Sequence, residues 1–132
     1  MSTMQLQSQL RAKFALASIT EAQSWSKDEQ KELKAYVQSL PAMIQINGFG
    51  QAIAFYKAHP AAKKGGKAYQ AIYSWISTWL NQQQIFSTDL MQAICNNDMA
   101  KYQQATAETQ ALLVWFKKFA RAYLITDDAN GG

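Results

Sequence analysis

Apolar residues near the end of the chain recur at steps of three and four, the period of an α-helix with one buried face. The pattern predicts one long helix from Asn97 to Leu124. The positions predicted to face the core are Tyr102, Ala105, Thr109, Leu112, Leu113, Phe116, Ala120, Tyr123 and Leu124. Lys117, Lys118 and Arg121 fall on the opposite side together with Val114. This helix is therefore predicted to carry both a core-building stripe and a cationic stripe.

Helical periodicity also runs through the upstream part of the chain, where turn residues divide it. The predicted helices cover residues 4–22, 26–39, 42–46, 49–58, 67–83 and 87–96. Ser26 and Glu29 have the spacing of a capping box. Pro41 lacks an N–H and disfavours helix in the residue before it, so the second helix is predicted to end near Ser39. Ser87 is predicted to cap the short helix that precedes the last one.

The pattern contains no β-alternation long enough for a sheet, no repeat and no sign of a second domain. We therefore predict an all-α fold, a single compact bundle of about six helices, two of them short, with a long C-terminal helix. The domain is predicted to span residues 1–132, with an ordered core over about 4–124 and a polar tail at 125–132. A chain of this length buries about two thirds of its unfolded surface.

Positive charge is concentrated in one region of the sequence. The formal net charge is +4, and no acidic residue lies between Glu32 and Asp89. The cations of that span are Lys34, Lys57, Lys63, Lys64 and Lys67. Just upstream, the lysines at 27, 31 and 34 are offset in the sequence by acids at 28, 29 and 32. The regional excess favours a polyanionic partner such as nucleic acid, whereas simple solubility is the alternative for each lysine alone.

Catalysis or metal binding would need a constellation of residues that the sequence does not offer. His59 is the only histidine and precedes a proline, without a carboxylate partner that would orient a general base. Cys95 is the only cysteine, and its apolar neighbours predict a buried, inert thiol. The carboxylates are scattered, so a metal-dependent nuclease lacks convergent ligands. We therefore predict a protein that is not an enzyme and has no cofactor or metal.

The sequence also predicts a cytoplasmic location. The first ten residues are polar and rich in glutamine, unlike a secretory signal peptide. The longest apolar runs are about five residues, far below the roughly 20 that a membrane-spanning helix needs. A lone cysteine suits a reducing compartment.

Three segments together resemble one family, the small all-helical subunit of the Cmr-type (type III-B) CRISPR effector complex. The first segment covers residues 40–44 and 47–55, with its leucine–proline and asparagine–glycine pairs. The second is the mid-chain helix that ends in Trp79 and Leu80. The third is the run Tyr102, Thr106, Glu108, Leu112, Leu113, Trp115, Phe116, Lys117, Lys118, Phe119 and Ala120. The resemblance extends from about Leu10 to Leu124, with Phe49 where the family usually has leucine.

The resemblance implies a non-catalytic structural subunit of an antiviral ribonucleoprotein. In such complexes several copies stack into a filament beside a backbone that holds the guide RNA, and they line the groove where target RNA pairs. The implied partners are guide and target RNA, sister copies, and the backbone and large subunits, with no membrane.

The leading hypothesis is contact with the RNA backbone through basic side chains, since guide-directed complexes leave sequence reading to base pairing. The first candidates are Lys117, Lys118 and Arg121 on the last helix. The second group is Lys57, Lys63, Lys64 and Lys67, and the third is Arg11 and Lys13. An alternative is an assembly module or adaptor without direct RNA contact, in which Trp115, Phe49 and Met43 meet other chains.

Overall fold

The structure, a computed structural model, describes residues 3–125, and the side chains from residue 6 onward. Its α-helices are α1 (Thr3–Glu21), α2 (Lys27–Asn47), α3 (Phe49–Lys57), α4 (Gly66–Gln82), α5 (Leu90–Asn96) and α6 (Met99–Tyr123). A 3-10 turn, Ala22–Ser24, follows α1. Residues 3–125 contain no β-strand. The predicted all-α fold with a long last helix is confirmed, while the tail predicted after Ile125 lies outside the described residues.

Helix α6 packs against α1, α2 and α4. Two contacts show that α1 runs parallel to α6: Arg11 bonds Glu108, and further along both helices Gln23 bonds the carbonyl of Tyr123. α2 runs antiparallel, because Gln30 bonds Ile125 at one end and Gln110 bonds the carbonyl of Pro41 further along α6. Helices α1 and α2 therefore flank α6, and Val114, Lys118 and Arg121 on its outer side are exposed among the described residues.

The inner side of α6 faces an aromatic core. The ring of Phe116 lies 5.5 Å from the ring of Trp75 and 6.4 Å from that of Phe14. Most positions predicted to face the core are buried: Ala105, Thr109, Leu112, Leu113, Phe116, Ala120 and Leu124. Tyr123 was predicted wrongly, since it is 46% exposed. The helix ends at this residue and Leu124 takes an extended backbone, so Leu124 fills the last core position instead.

Helix α2 continues through Pro41, contrary to the predicted end near Ser39 and the separate helix at 42–46. A proline inside a helix costs about 3 kcal/mol through its missing N–H and its clash with the preceding turn. Leu40 and Ile44 are both buried on the same face, and each contributes about 1.5–3 kcal/mol of hydrophobic stabilisation. Burial therefore offsets the cost, and the helix ends only where Gly48 takes a φ of 90°.

Local capping signals have mixed outcomes. The capping box is confirmed, because Glu29 N–H donates to Ser26 Oγ at 3.2 Å and Ser26 N–H donates to Glu29 Oε1 at 3.1 Å. The cap predicted at Ser87 is wrong, because α5 begins at Leu90. Asp89 holds the N-cap position, yet its carboxylate accepts from the Tyr73 hydroxyl at 2.7 Å rather than from the helix. Tertiary pairing with α4 therefore decides where this short helix begins.

The loop between α3 and α4 folds back on an aromatic stack. The ring of Tyr69 lies between those of Tyr36 and His59, each at 4.0 Å. Gln70 donates to the carbonyl of His59, which ties the loop to α4. A Cβ on Gly66 would clash with the carbonyl oxygen of Pro60, so only glycine permits this close return. The lysines of the loop are thereby presented on an anchored segment.

Candidate nucleic-acid interface

The outer side of α6 carries the cations that the helical period placed there. Lys118 and Arg121 are exposed and Lys117 is half-buried. Together with Val114, which is 50% exposed, they line a shallow depression of about 230 Å³. Because the opposite side of the same helix is core, the backbone that bears these three charges is fixed.

Neighbouring side chains contact two of the three cations on this surface, Lys118 and Arg121. Lys118 Nζ lies 5.6 Å from the centroid of the Trp115 ring, which stacks on Phe119. Arg121 Nη2 donates to Gln38 Oε1 at 3.4 Å. No carboxylate within residues 6–125 pairs with these cations. The surface is therefore suited to an anion from outside.

The second group of predicted cations surrounds the α3–α4 loop. Lys63 and Lys64 are exposed there. Lys57 lies over the Tyr73 ring at 4.8 Å, and Lys67 lies over the Trp25 ring at 4.7 Å. Lys67 also pairs with Glu29 at 3.4 Å. Among the described residues, Lys63 and Lys64 are thus the members of this group whose side chains form no ring contact or ion pair.

Arg11, in the third predicted group, is already occupied. Its guanidinium forms a two-pronged ion pair with Glu108, at 2.6 and 3.0 Å, and the Trp79 indole N–H donates to the same carboxylate at 2.9 Å. Burial works against ionisation of Glu108, but the bonds from Arg11 and Trp79 outweigh it and lower the pKa of Glu108. Arg11 therefore joins α1 to α6 through Glu108, and its contact with RNA stays a prediction. Lys13, on the same helix, is exposed.

The charges of α2 are balanced in the sequence but separated in space. Glu29 faces α4, where it pairs with Lys67, and Glu32 lies beside Tyr36. Lys34 is one helical turn before Gln38, the residue that bonds α6. The offset of lysines by acids, counted along the sequence, therefore does not hold on the α6 side of the helix. Lys34 was missed for this reason, although the position of each residue around the helix already separates the two signs.

Apolar residues are exposed near the end of α2. Ile46 is 80% exposed and Phe55 is 46% exposed. With Met43, Asn47 and Gln51 they line an open groove of about 580 Å³.

Of the predicted protein contacts, Met43 lies in this groove and Trp115 is half-buried on the flank of α6. Phe49 is 1% exposed, so its prediction as an interface residue is corrected: it belongs to the core, against the ring of Tyr102.

The remaining reactive side chains do not form a centre in the described part of the chain. His59 Nδ1 bonds the carbonyl oxygen of Phe55 at 2.8 Å. Cys95 is exposed, contrary to its predicted burial, because α5 buries only the side that holds Leu90 and Ala93. No three His, Cys, Asp or Glu side chains within residues 3–125 lie close enough to hold a metal ion. None of the helices described is both long and apolar enough to span a membrane.

The family model described as CRISPR-associated protein (Cas_Cmr5) matches residues 7–123. The chain belongs to the Cas_Cmr5 family. The family resemblance predicted from the sequence is thereby confirmed.

A Cas_Cmr5-type relative from Thermus thermophilus, named CRISPR system Cmr subunit Cmr5, is 27% identical over 122 residues. The match covers 92% of this chain and 98% of the relative. An X-ray crystal structure of a CRISPR-associated Cmr5 family protein, also from Thermus thermophilus, matches with a TM-score of 0.73 and 23% identity. That match covers 95% of this chain and 100% of the other, and it shows that the two share the fold.

Proposed function

We propose that this Cas_Cmr5 chain is a non-catalytic small subunit of a type III-B (Cmr) CRISPR ribonucleoprotein in antiviral defence. In this role several copies stack along the groove of guide and target RNA in the cytoplasm, and basic residues contact the RNA backbone. Membership of the family supports the assignment, and the Thermus relative is itself named as a Cmr subunit.

The observation that carries the proposal is the cationic surface on α6, with which no described carboxylate pairs. Lys117, Lys118 and Arg121 lie on the outer side of a helix whose inner side is core. Phosphate contacts are independent of sequence, which suits a complex whose specificity comes from base pairing. Lys63 and Lys64 are the next candidates, since the described fold leaves both exposed.

The proposal is tested by the salt dependence of target-RNA affinity in the assembled complex. One variant carries Lys117→Ala, Lys118→Ala and Arg121→Ala. The matched control carries Lys117→Arg, Lys118→Arg and Arg121→Lys, which changes the same side chains and keeps their charge. We expect the alanine variant to flatten the salt dependence, because binding with fewer phosphate contacts releases fewer counterions from the RNA. We expect the control to keep the native dependence.

A second candidate function, an assembly module, is favoured by the exposed groove beside Ile46. Large apolar side chains that remain exposed in one patch are typical of protein-binding surfaces. Trp115 offers a further apolar contact on the flank of α6. Here the occupants are sister copies or other subunits, and the two functions can coexist in one chain.

The assembly function predicts that Ile46→Glu weakens incorporation of this chain into the complex without unfolding it. Ile46 is 80% exposed, so the new carboxylate remains solvated in the isolated chain and is desolvated only in an interface. Gln45→Glu, at the neighbouring exposed position, is the matched control. Size-exclusion profiles of the assembled complex check the result. Equal incorporation of both variants would argue against the groove as an interface.

A further inference from the structure

The boundary between α2 and α6 places one polar side chain between two of the proposed RNA contacts. Gln38 Nε2 donates to the backbone carbonyl of Lys117, and Gln38 Oε1 accepts from Arg121 Nη2, both at 3.4 Å. Both contacts come from a single amide, so Gln38 bridges the Arg121 guanidinium and the Lys117 backbone. Arg121 keeps further N–H donors for another acceptor, since a guanidinium carries five.

A further cation lies on the same side of α2. Lys34 precedes Gln38 by four residues, which places the two roughly 40° apart around the helix. It is half-buried, and the described residues offer it no ion pair or hydrogen bond. Glu29 pairs with Lys67 of α4, and Glu32, two positions before Lys34, falls roughly 160° away from it around the helix. No described acid therefore pairs with Lys34 on the side of α2 that meets α6.

From these contacts we propose that the RNA-contacting surface spans both helices. Lys34 supplies an additional phosphate contact, and Gln38 is a positioning residue that holds Arg121 in place. This inference rests on the proposed function. Packed helices have axes about 8–10 Å apart, so Lys34 widens the cationic surface by about one helix. A strand crossing both helices then meets cations on each of them, rather than on a single stripe.

The contribution of Lys34 is tested with Lys34→Met in the assembled complex. Methionine keeps an apolar stem of similar length and removes only the charge, which protects the half-buried packing. We expect the slope of log affinity against log salt to fall in magnitude by about 0.7–0.9, the value of one contact. Lys34→Arg is expected to keep the slope. Gln92→Glu, an exposed change on α5 that lowers the net charge equally, is the control and is expected to change little.

The role of Gln38 is tested by a double-mutant cycle with Arg121. Gln38→Ala is expected to weaken target-RNA binding in the native background and to have no further effect in the Arg121→Ala background. Equal effects in the two backgrounds would show that Gln38 does not act through Arg121 and would overturn its positioning role. A purely structural role would lower the urea midpoint in both backgrounds without this coupling.

The outcomes separate this inference from the function on which it rests. If Lys34→Met behaves like Gln92→Glu while the triple alanine variant of α6 flattens the salt dependence, the two-helix surface is wrong and the α6 surface stands. If both variants keep the native slope in an intact complex, the proposed RNA contact itself is overturned.

Discussion

At the scale of single residues, Glu108 is the carboxylate that ties three helices together. It lies on α6 and accepts from Arg11 of α1 and from Trp79 of α4. Its side chain is 12% exposed, so water replaces few of these bonds if they are lost. The resemblance to the family includes this glutamate, and in the structure it joins α1, α4 and α6.

Glu108→Gln is expected to destabilise the fold by about 1–3 kcal/mol at neutral pH, because a charged bond to Arg11 is lost and the guanidinium remains partly buried. The pKa of Glu108 is lowered from its ordinary value of 4.5, so its stabilisation is present above that pH. It disappears as the pH falls through the lower pKa of the folded state.

Urea denaturation across this pH range checks the expectation. The native chain and Glu108→Gln should differ at pH 7 and converge in acid. Glu21→Gln, at an exposed position, should match the native chain throughout. A difference for Glu108→Gln that persists in strong acid would contradict the ion-pair explanation.

Contacts between residues that are far apart in the sequence could not be predicted from the sequence. Arg11 and Glu108 are 97 positions apart, and no local pattern shows that one neutralises the other. The same holds for Phe49, which was assigned to an interface and is buried against Tyr102 of α6. Helical period gives the face on which a residue lies, but not which partner covers that face.

At the scale of elements, short-range chemistry was predictable wherever it met no tertiary competitor. The capping box of Ser26 and Glu29 is formed as its spacing predicts. Pro41 did not end α2, because the buried stripe continues through Leu40 and Ile44. Local signals therefore fixed most helix ends, and packing decided the exceptions.

The end of α4 supplies a prediction at the same scale. Gln84 takes a φ of 60° where the chain leaves the helix, and Ile85 N–H bonds the carbonyl of Leu80 at 3.0 Å. This is the Schellman geometry, in which glycine is preferred at the left-handed position. The left-handed backbone costs a residue with a side chain about 1–2 kcal/mol. Glycine avoids this cost, but it loses more conformational entropy on folding, which costs roughly 0.5–1 kcal/mol.

Gln84→Gly is therefore expected to stabilise the fold by about 0.5–1 kcal/mol. Gln82→Gly, at the last residue of α4 and exposed, is the matched control and should destabilise by a similar amount. Urea denaturation of the two variants measures both. Destabilisation by Gln84→Gly would show that its side chain makes a contribution that the left-handed backbone does not reveal.

At the scale of the whole molecule, the helical bundle and the cationic side of α6 could be predicted, because both follow from helical periodicity in the sequence. The extent of the charged surface could not. Lys34 and its neighbouring acids cancel when counted along the sequence, yet the structure turns Glu29 toward Lys67 of α4. The surface that RNA would meet is thus a property of how α2 and α6 are paired.

The central claim is that the outer side of α6 holds RNA through phosphate contacts. Its most direct test is the slope of log affinity against log salt for complexes that carry the triple alanine variant at 117, 118 and 121. We expect the slope to fall in magnitude by about two to three units, at about 0.7–0.9 for each lost contact. An intact variant complex with the native slope would contradict the account.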